Sequence, residues 1–214
     1  MEEGLDIEHI ISTLTQALSD TTATKVRPFF TSETFTLLFM NNFLSDSPGT
    51  INQTQAASQS NWTYHTAISI KKTTHLMGLN CVFETMGRHD AVICDYKDEP
   101  EILLFAEWEA KHQSIFGQDK ELNKLWQGTI QQKKADAFLF TYCPQSEYPT
   151  FLKSVVEYWQ GKDKRRKRRP ILYLTTWVYE QANNIDKFQY LSTVAIHQEG
   201  VEIWGDLRSA HATF

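Results

Sequence analysis

No stretch of the sequence approaches the roughly 18 to 20 uninterrupted apolar residues of a membrane span, and the opening MEEGLDIEHI has neither the basic nor the apolar region of a secretory signal. A soluble, cytoplasmic protein without a membrane partner is the expectation. Cysteine is scarce: Cys81, Cys94 and Cys143 are odd in number and form no CxxC pair, which excludes a thiolate zinc site or a redox dithiol and leaves reduced, buried thiols. The seven histidines include no HExxH or HxH pair, which argues against zinc. G-x-S-x-G, P-loop and Rossmann glycine patterns are also missing, so serine hydrolase, NTPase and dinucleotide chemistries have no foothold.

Positive charge is short overall, with a net charge of −5, but it is unevenly placed. The run KDKRRKRR at 162–169 holds seven cations and one anion, leaving −11 for the remainder. An acidic body with one basic segment orients on a polyanion rather than coating it. Lys164, Arg165, Arg166, Lys167, Arg168 and Arg169 are the candidate phosphate contacts, and a solvated loop is the alternative.

The chain has 214 residues, 41% of them hydrophobic and 13% aromatic, enough for one substantial core and one decorated domain. Ile7, Ile10, Ile11, Leu14 and Leu18 mark a helix over 6–18. Ser32 as cap, followed by Phe35, Leu38, Phe39 and Phe43, marks another. Residues 45–61 are polar and aperiodic and read as a loop, closing an N-terminal segment of 1–61. Beyond it, apolar runs at 81–84, 89–96, 102–111, 136–142, 171–179 and 190–196 read as strands, with helices over 120–134 and 150–159 between them. This is an α/β or α+β pattern, with a core over 62–143 and residues 144–214 completing the same domain.

The informative stretch is GRHDAVICDYKDEPEILLFAEWEAKHQ, 87–113, in which two apolar runs flank the turn-forming KDEPE. In a symmetric hairpin the paired residue numbers sum to about 199, which sets Asp90 opposite Glu109. Strand alternation then puts Glu107, Glu109 and Lys111 on one face, with Gln113 following. His89 and His112 are expected on the opposite face. Two carboxylates this close repel unless a cation sits between them, and hard oxygens without His or Cys suit Mg²⁺, with Mn²⁺ as substitute. Such a metal polarises a phosphodiester and acidifies a water, while Lys111 orients that water or offsets charge on the phosphate. The rival reading makes 102–113 a helix capped by Asp98, with a Glu107 to Lys111 pair on its surface. Asp95-Tyr96-Lys97 repeats the acid-x-Lys spacing but lies too near Asp90 to occupy a separate strand.

Asp90 followed by Glu109-Ala110-Lys111 resembles the PD-(D/E)XK nucleases, the family of restriction endonucleases, junction resolvases and repair exonucleases. The resemblance covers roughly 62–143 and departs from the pattern at His89, where the family's name has Pro. It implies a central mixed β-sheet flanked by helices, with Asp90, Glu109 and Lys111 as catalytic residues. It also implies a metal shell of Asp90, Glu109, the Ala110 carbonyl and Glu84, while Gln113 shares the face from which substrate is met. The expected function is a Mg²⁺-dependent DNA endonuclease of restriction or defence type, acting as a homodimer. The alternatives are a catalytically inactive nuclease-fold subunit that binds nucleic acid or a protein partner, and a helical interaction protein.

Overall fold

The computed structural model describes residues 30–45, 59–86, 88–132, 134–162, 169–182 and 185–207. The expected helix at 6–18, most of the polar loop and residues 163–168 of the basic run lie outside the described residues. Alternating and continuous apolar runs assemble into one seven-stranded mixed sheet: β1 (Asn80–Thr85), β2 (His89–Cys94), β3 (Ile102–Glu109), β4 (Asp136–Pro144), β5 (Leu172–Ala182), β6 (Ile185–Ile196) and β7 (Val201–Leu207). The strands lie side by side in chain order. β1 to β3 form an antiparallel meander, β4 and β5 join in parallel, and β6 and β7 return antiparallel. Each parallel join needs a crossover, which helices supply: α3 (Glu121–Gln131) links β3 to β4, and α4 (Tyr148–Gln160) links β4 to β5.

Helices α1 (Ser32–Ser45) and α2 (Gln59–Leu76) cover the other face. On that side Phe39, Phe43 and Trp62 pack around Phe140 at ring separations of 5.2, 4.8 and 5.4 Å. Leu122, Leu125 and Trp126 of α3, with Phe151, Val155 and Trp159 of α4, fill the second layer. Trp62, Trp159 and Trp177 are therefore core residues, and the three cysteines are free. Among the described residues no helix is long and apolar enough to cross a membrane.

The sequence reading missed α2 because, apart from Trp62 and Ile70, its core-facing positions are hydroxyl residues. Thr66, Ser69, Thr73 and Thr74 are buried, and three of them donate back into their own helix: Thr66 to Trp62 O at 2.8 Å, Thr73 to Ser69 O at 2.8 Å and Thr74 to Lys71 O at 2.8 Å. Polar groups satisfied this way can face a core without an apolar stripe in the sequence. Strand β7 was missed too, and β5 and β6 run longer than the apolar stretches that announced them.

Ser32 does not cap α1. Thr31 does, its Oγ1 accepting from Thr34 N at 3.0 Å, and Ser32 Oγ donates instead to Asp136 Oδ2 at 2.9 Å. Residues Ile102–Glu109 are a strand followed by a short 3₁₀ turn, His112–Ile115, which removes the helical reading of 102–113. Because Phe140 has no solvent access and is surrounded by Phe39, Phe43, Trp62 and Tyr142, Phe140→Ala should cost about 3–5 kcal/mol. Urea denaturation monitored by tryptophan fluorescence checks this, and a loss under 1 kcal/mol would refute the packing role.

Candidate active site

The site is set by how the hairpin between β2 and β3 closes. Asp95 N donates to Glu101 O at 3.2 Å, and Glu101 N donates to Asp95 Oδ1 at 2.8 Å, while Lys97 pairs with Asp95. Pro100 has no N–H for the ladder, so the return strand begins only at Ile102. The turn is thus centred nearer Asp98 than Pro100. The resulting pairs are Ala91 with Ala106, Val92 with Phe105 and Ile93 with Leu104, with an irregularity before Cys94 and Ile102. Continued one step, this register sets Asp90 across from Glu107. The expected pairing of Asp90 with Glu109 is therefore corrected by two residues, which leaves the face unchanged and replaces the partner.

Around that pair a charged cluster is built. Glu107 has no solvent exposure, yet both its oxygens are held: His89 Nδ1 lies 2.8 Å from Oε1, and Lys124 Nζ lies 3.1 Å from Oε2. Lys124 also lies 3.6 Å from Glu121 Oε1, one turn back on α3. Asp90 Oδ2 accepts from Trp108 N at 2.8 Å, where the β2–β3 ladder has ended. Burial pushes the Asp90 carboxyl up to about 7, and the neighbouring Glu107 adds to the rise. Burial also raises Glu121, with the charges of Glu107 and Glu109 adding. One oxygen of Glu121, Oε2, is buried without a hydrogen-bond partner. Burial alone would lower Lys124, but Glu107, then Glu121 and Asp90, hold its ammonium above the ordinary range.

A cleft of about 620 Å³ opens beside the cluster, lined among others by Met86, Arg88, His89, Asn123, Lys124 and Gln127. Its rim is the β1–β2 turn, where three non-glycine residues, Glu84, Met86 and Arg88, have φ of 51°, 48° and 69°. Left-handed backbone in such residues costs about 1–2 kcal/mol each. His89 opens β2 beside the left-handed Arg88 and pairs with Thr85. Expected on the opposite face from the carboxylates, its side chain instead grips Glu107 and lies against Phe105, the rings tilted with centroids 4.5 Å apart.

The remaining expected residues are scattered. Glu109 ends β3, half-buried, its Oε1 accepting from Lys111 N at 3.0 Å. Ala110 follows it, packed against the α1 and α2 layer. Lys111 lies outside the strand, exposed, at the start of the 3₁₀ turn. Gln113 is exposed and donates to Glu147 Oε2 at 3.1 Å, beside His112, which lies 2.9 Å from the same atom. Glu84 is exposed on β1, and the β1–β2 register continues to a position opposite Asp90. Of the basic run's candidates, Arg169 is half-buried just before β5, and Lys164 to Arg168 lie outside the described residues. Sequence reasoning missed Glu107, Lys124, Glu121 and His89 as one group. The signal for Glu107 was present in Glu107-Trp108-Glu109, a second pair of acids on the same face, but nothing local pointed to α3.

Among the described residues no three His, Cys, Asp or Glu side chains form a preformed metal cluster. The donor set nonetheless fits a hard divalent cation, since Mg²⁺ takes one or two carboxylates and fills its shell with water and substrate oxygens. The chain matches no family model, and no curated protein or solved structure matches it.

Two outcomes follow from the cluster. Asp90 keeps its proton up to about pH 7 in the folded state, against roughly 3.9 when unfolded, so the folded protein binds more protons between those values and stability falls as pH rises through them. Asp90→Asn removes that loss, making the metal-free variant more stable than wild type by about 1–3 kcal/mol at pH 8 and not at pH 4. Urea denaturation in EDTA at both pH values checks this; parallel behaviour would refute it. A Cβ added at Gly128 would sit 2.7 Å from His89 Nε2 and 3.1 Å from Phe105 Cδ2. Gly128→Ala should therefore destabilise by about 1–3 kcal/mol despite alanine's higher helix propensity, and a rise in melting temperature would count against the fit.

Proposed function

We propose that the protein is a Mg²⁺-dependent phosphodiester hydrolase acting on DNA, an endonuclease of restriction or defence type with a PD-(D/E)XK-like site. The observation that carries this reading is Asp90 held beside the buried Glu107 on neighbouring strands, with its carboxyl pushed up to about 7. Charges forced together behind His89 and Lys124 of the cleft wall are what a bound cation would relieve. The order α2-β1-β2-β3-α3-β4, an antiparallel meander followed by a helical crossover to a parallel strand, is compatible with the mixed sheet that the resemblance implies. In this reading Glu107 rather than Glu109 takes the part of the tripeptide's acid, because the register continues to set it across from Asp90, and Glu109 then stands where the family pattern has Lys.

In this reading Asp90 and Glu107 would hold the metal, two carboxylates being enough for Mg²⁺, with Glu84 beside Asp90 across β1. The cation, when bound, offsets phosphate charge and lowers the pKa of a water. The hydrolysis joins the water's oxygen to phosphorus as one sugar–phosphate bond breaks. The water gives up a proton, the leaving sugar oxygen takes one, and no redox change occurs. His89 on Oε1 fixes the position of Glu107, while Lys124 on Oε2 is the partner that a bound cation would replace. The basic run is read as the phosphate-tracking segment. Lys162 at its root lies 3.2 Å from Asn123, a residue of the cleft wall, which brings the run's start to the same side of the sheet. Cutting two strands calls for two sites and hence a homodimer.

Incubation of supercoiled plasmid with Mg²⁺ should yield nicked and linear forms, reduced on the order of 10²-fold or more by Asp90→Asn or Glu107→Gln. Cleavage that persists in both variants would sink the assignment. Absence of Mn²⁺ binding by calorimetry, together with salt-sensitive DNA binding, would instead favour the inactive nuclease-fold subunit.

A further inference from the structure

Resting on the hydrolase reading above, we propose that Lys124 of helix α3, rather than Lys111, is the catalytic lysine of the site, meeting the scissile phosphate from the cleft wall. Lys111 lies beyond the end of β3 and its side chain is exposed; its tie to the site is a backbone amide on Glu109. Lys124 is built in. Its Nζ lies 3.1 Å from Glu107 Oε2 and 3.6 Å from Glu121 Oε1, and its side chain is a quarter exposed, on the surface that lines the cleft.

An ammonium has three N–H donors, and two carboxylates at these distances leave one free to meet a phosphate oxygen in the cleft. The helix delivers it in register. One turn after Lys124, Gly128 lets α3 close onto His89, and His89 fixes the other oxygen of Glu107. Strand carboxylate and helix cation are thus locked by the same contact.

Glu121 supplies an independent observation. It is nine-tenths buried, and its Oε2 has no hydrogen-bond partner although Lys124 stands beside Oε1. A buried carboxylate oxygen left unsatisfied is costly. The cation that Asp90 and Glu107 would hold in the reading above would bring positive charge to this oxygen and, by taking over the neutralisation of these acids, would release Lys124 towards substrate. Lys124 keeps its proton in this role, donating a hydrogen bond to a non-bridging oxygen as negative charge builds on the phosphate.

The test separates metal binding from chemistry. In Lys124→Met, calorimetric titration with Mn²⁺ should give affinity equal to or tighter than wild type, because a competing positive charge is gone. Single-turnover plasmid cleavage should fall by about a hundredfold or more, with Lys124→Arg recovering part of it. Lys111→Met should lose far less. If Lys124→Met fails to fold, Lys124→Gln, which keeps a hydrogen bond to Glu107, carries the same test. The proposal is overturned if the folded Lys124 variant cleaves as fast as wild type, if its cleavage falls only in proportion to lost Mn²⁺ affinity, or if Lys111→Met loses as much. Wild-type protein that neither binds Mn²⁺ nor cleaves would remove the hydrolase reading itself and this inference with it.

Discussion

One carboxylate with no access to water governs the organisation around it. Burying the Glu107 side chain inside a β-sheet costs several kcal/mol unless partners replace its hydration. His89 and Lys124 are those partners, and each imposes a condition on a different element. The imidazole must reach under α3, so α3 carries glycine at 128, where a side chain would strike the ring. The ammonium must come from the first turn of α3, so the helix has to begin where Glu121 and Lys124 stand over the end of β3. Asp90, added across the strand, is then poorly tolerated as an anion.

The sequence carried the fold further than the site. Continuous apolar runs such as Ile102–Ala106 marked buried strands, and the spacing of Leu122, Leu125 and Trp126 marked the inward face of a crossover helix; these patterns survive because burial on both sides of a central sheet demands them. Helix α2 was hidden because threonine hydroxyls bonded to their own backbone replace aliphatic groups, so Trp62 and Ile70 are too sparse to show its period. β7, at the sheet's margin, leaves Ile203 largely exposed and presents no continuous apolar run.

For the site, the residue types and the shared face were legible, since parity along a strand is preserved by any even shift. The partner was not. It depended on where a five-residue turn closes, and that was decided by Asp95 capturing the Glu101 amide together with the missing N–H of Pro100. Lys124 and Glu121 were out of reach for another reason: they lie on a separate element, more than a dozen residues downstream, and join the cluster only once the crossover helix folds back over β3.

The strand beyond this clasp behaves as a counter. Because Asp95 and Glu101 hold each other, extra residues between them loop out, and the number of residues from Glu101 along β3 fixes which acid stands beside Asp90. A single insertion just after Glu101 turns the rest of β3 over, exchanging its two faces and sending Glu107 into the aromatic layer around Phe140. A deletion of two there preserves the faces but brings Glu109 into the place of Glu107, leaving His89 and Lys124 clasping the wrong rung. Variation in length is thus absorbed inside the exposed loop, as surface loops ordinarily allow, and is read out in discrete steps immediately past it.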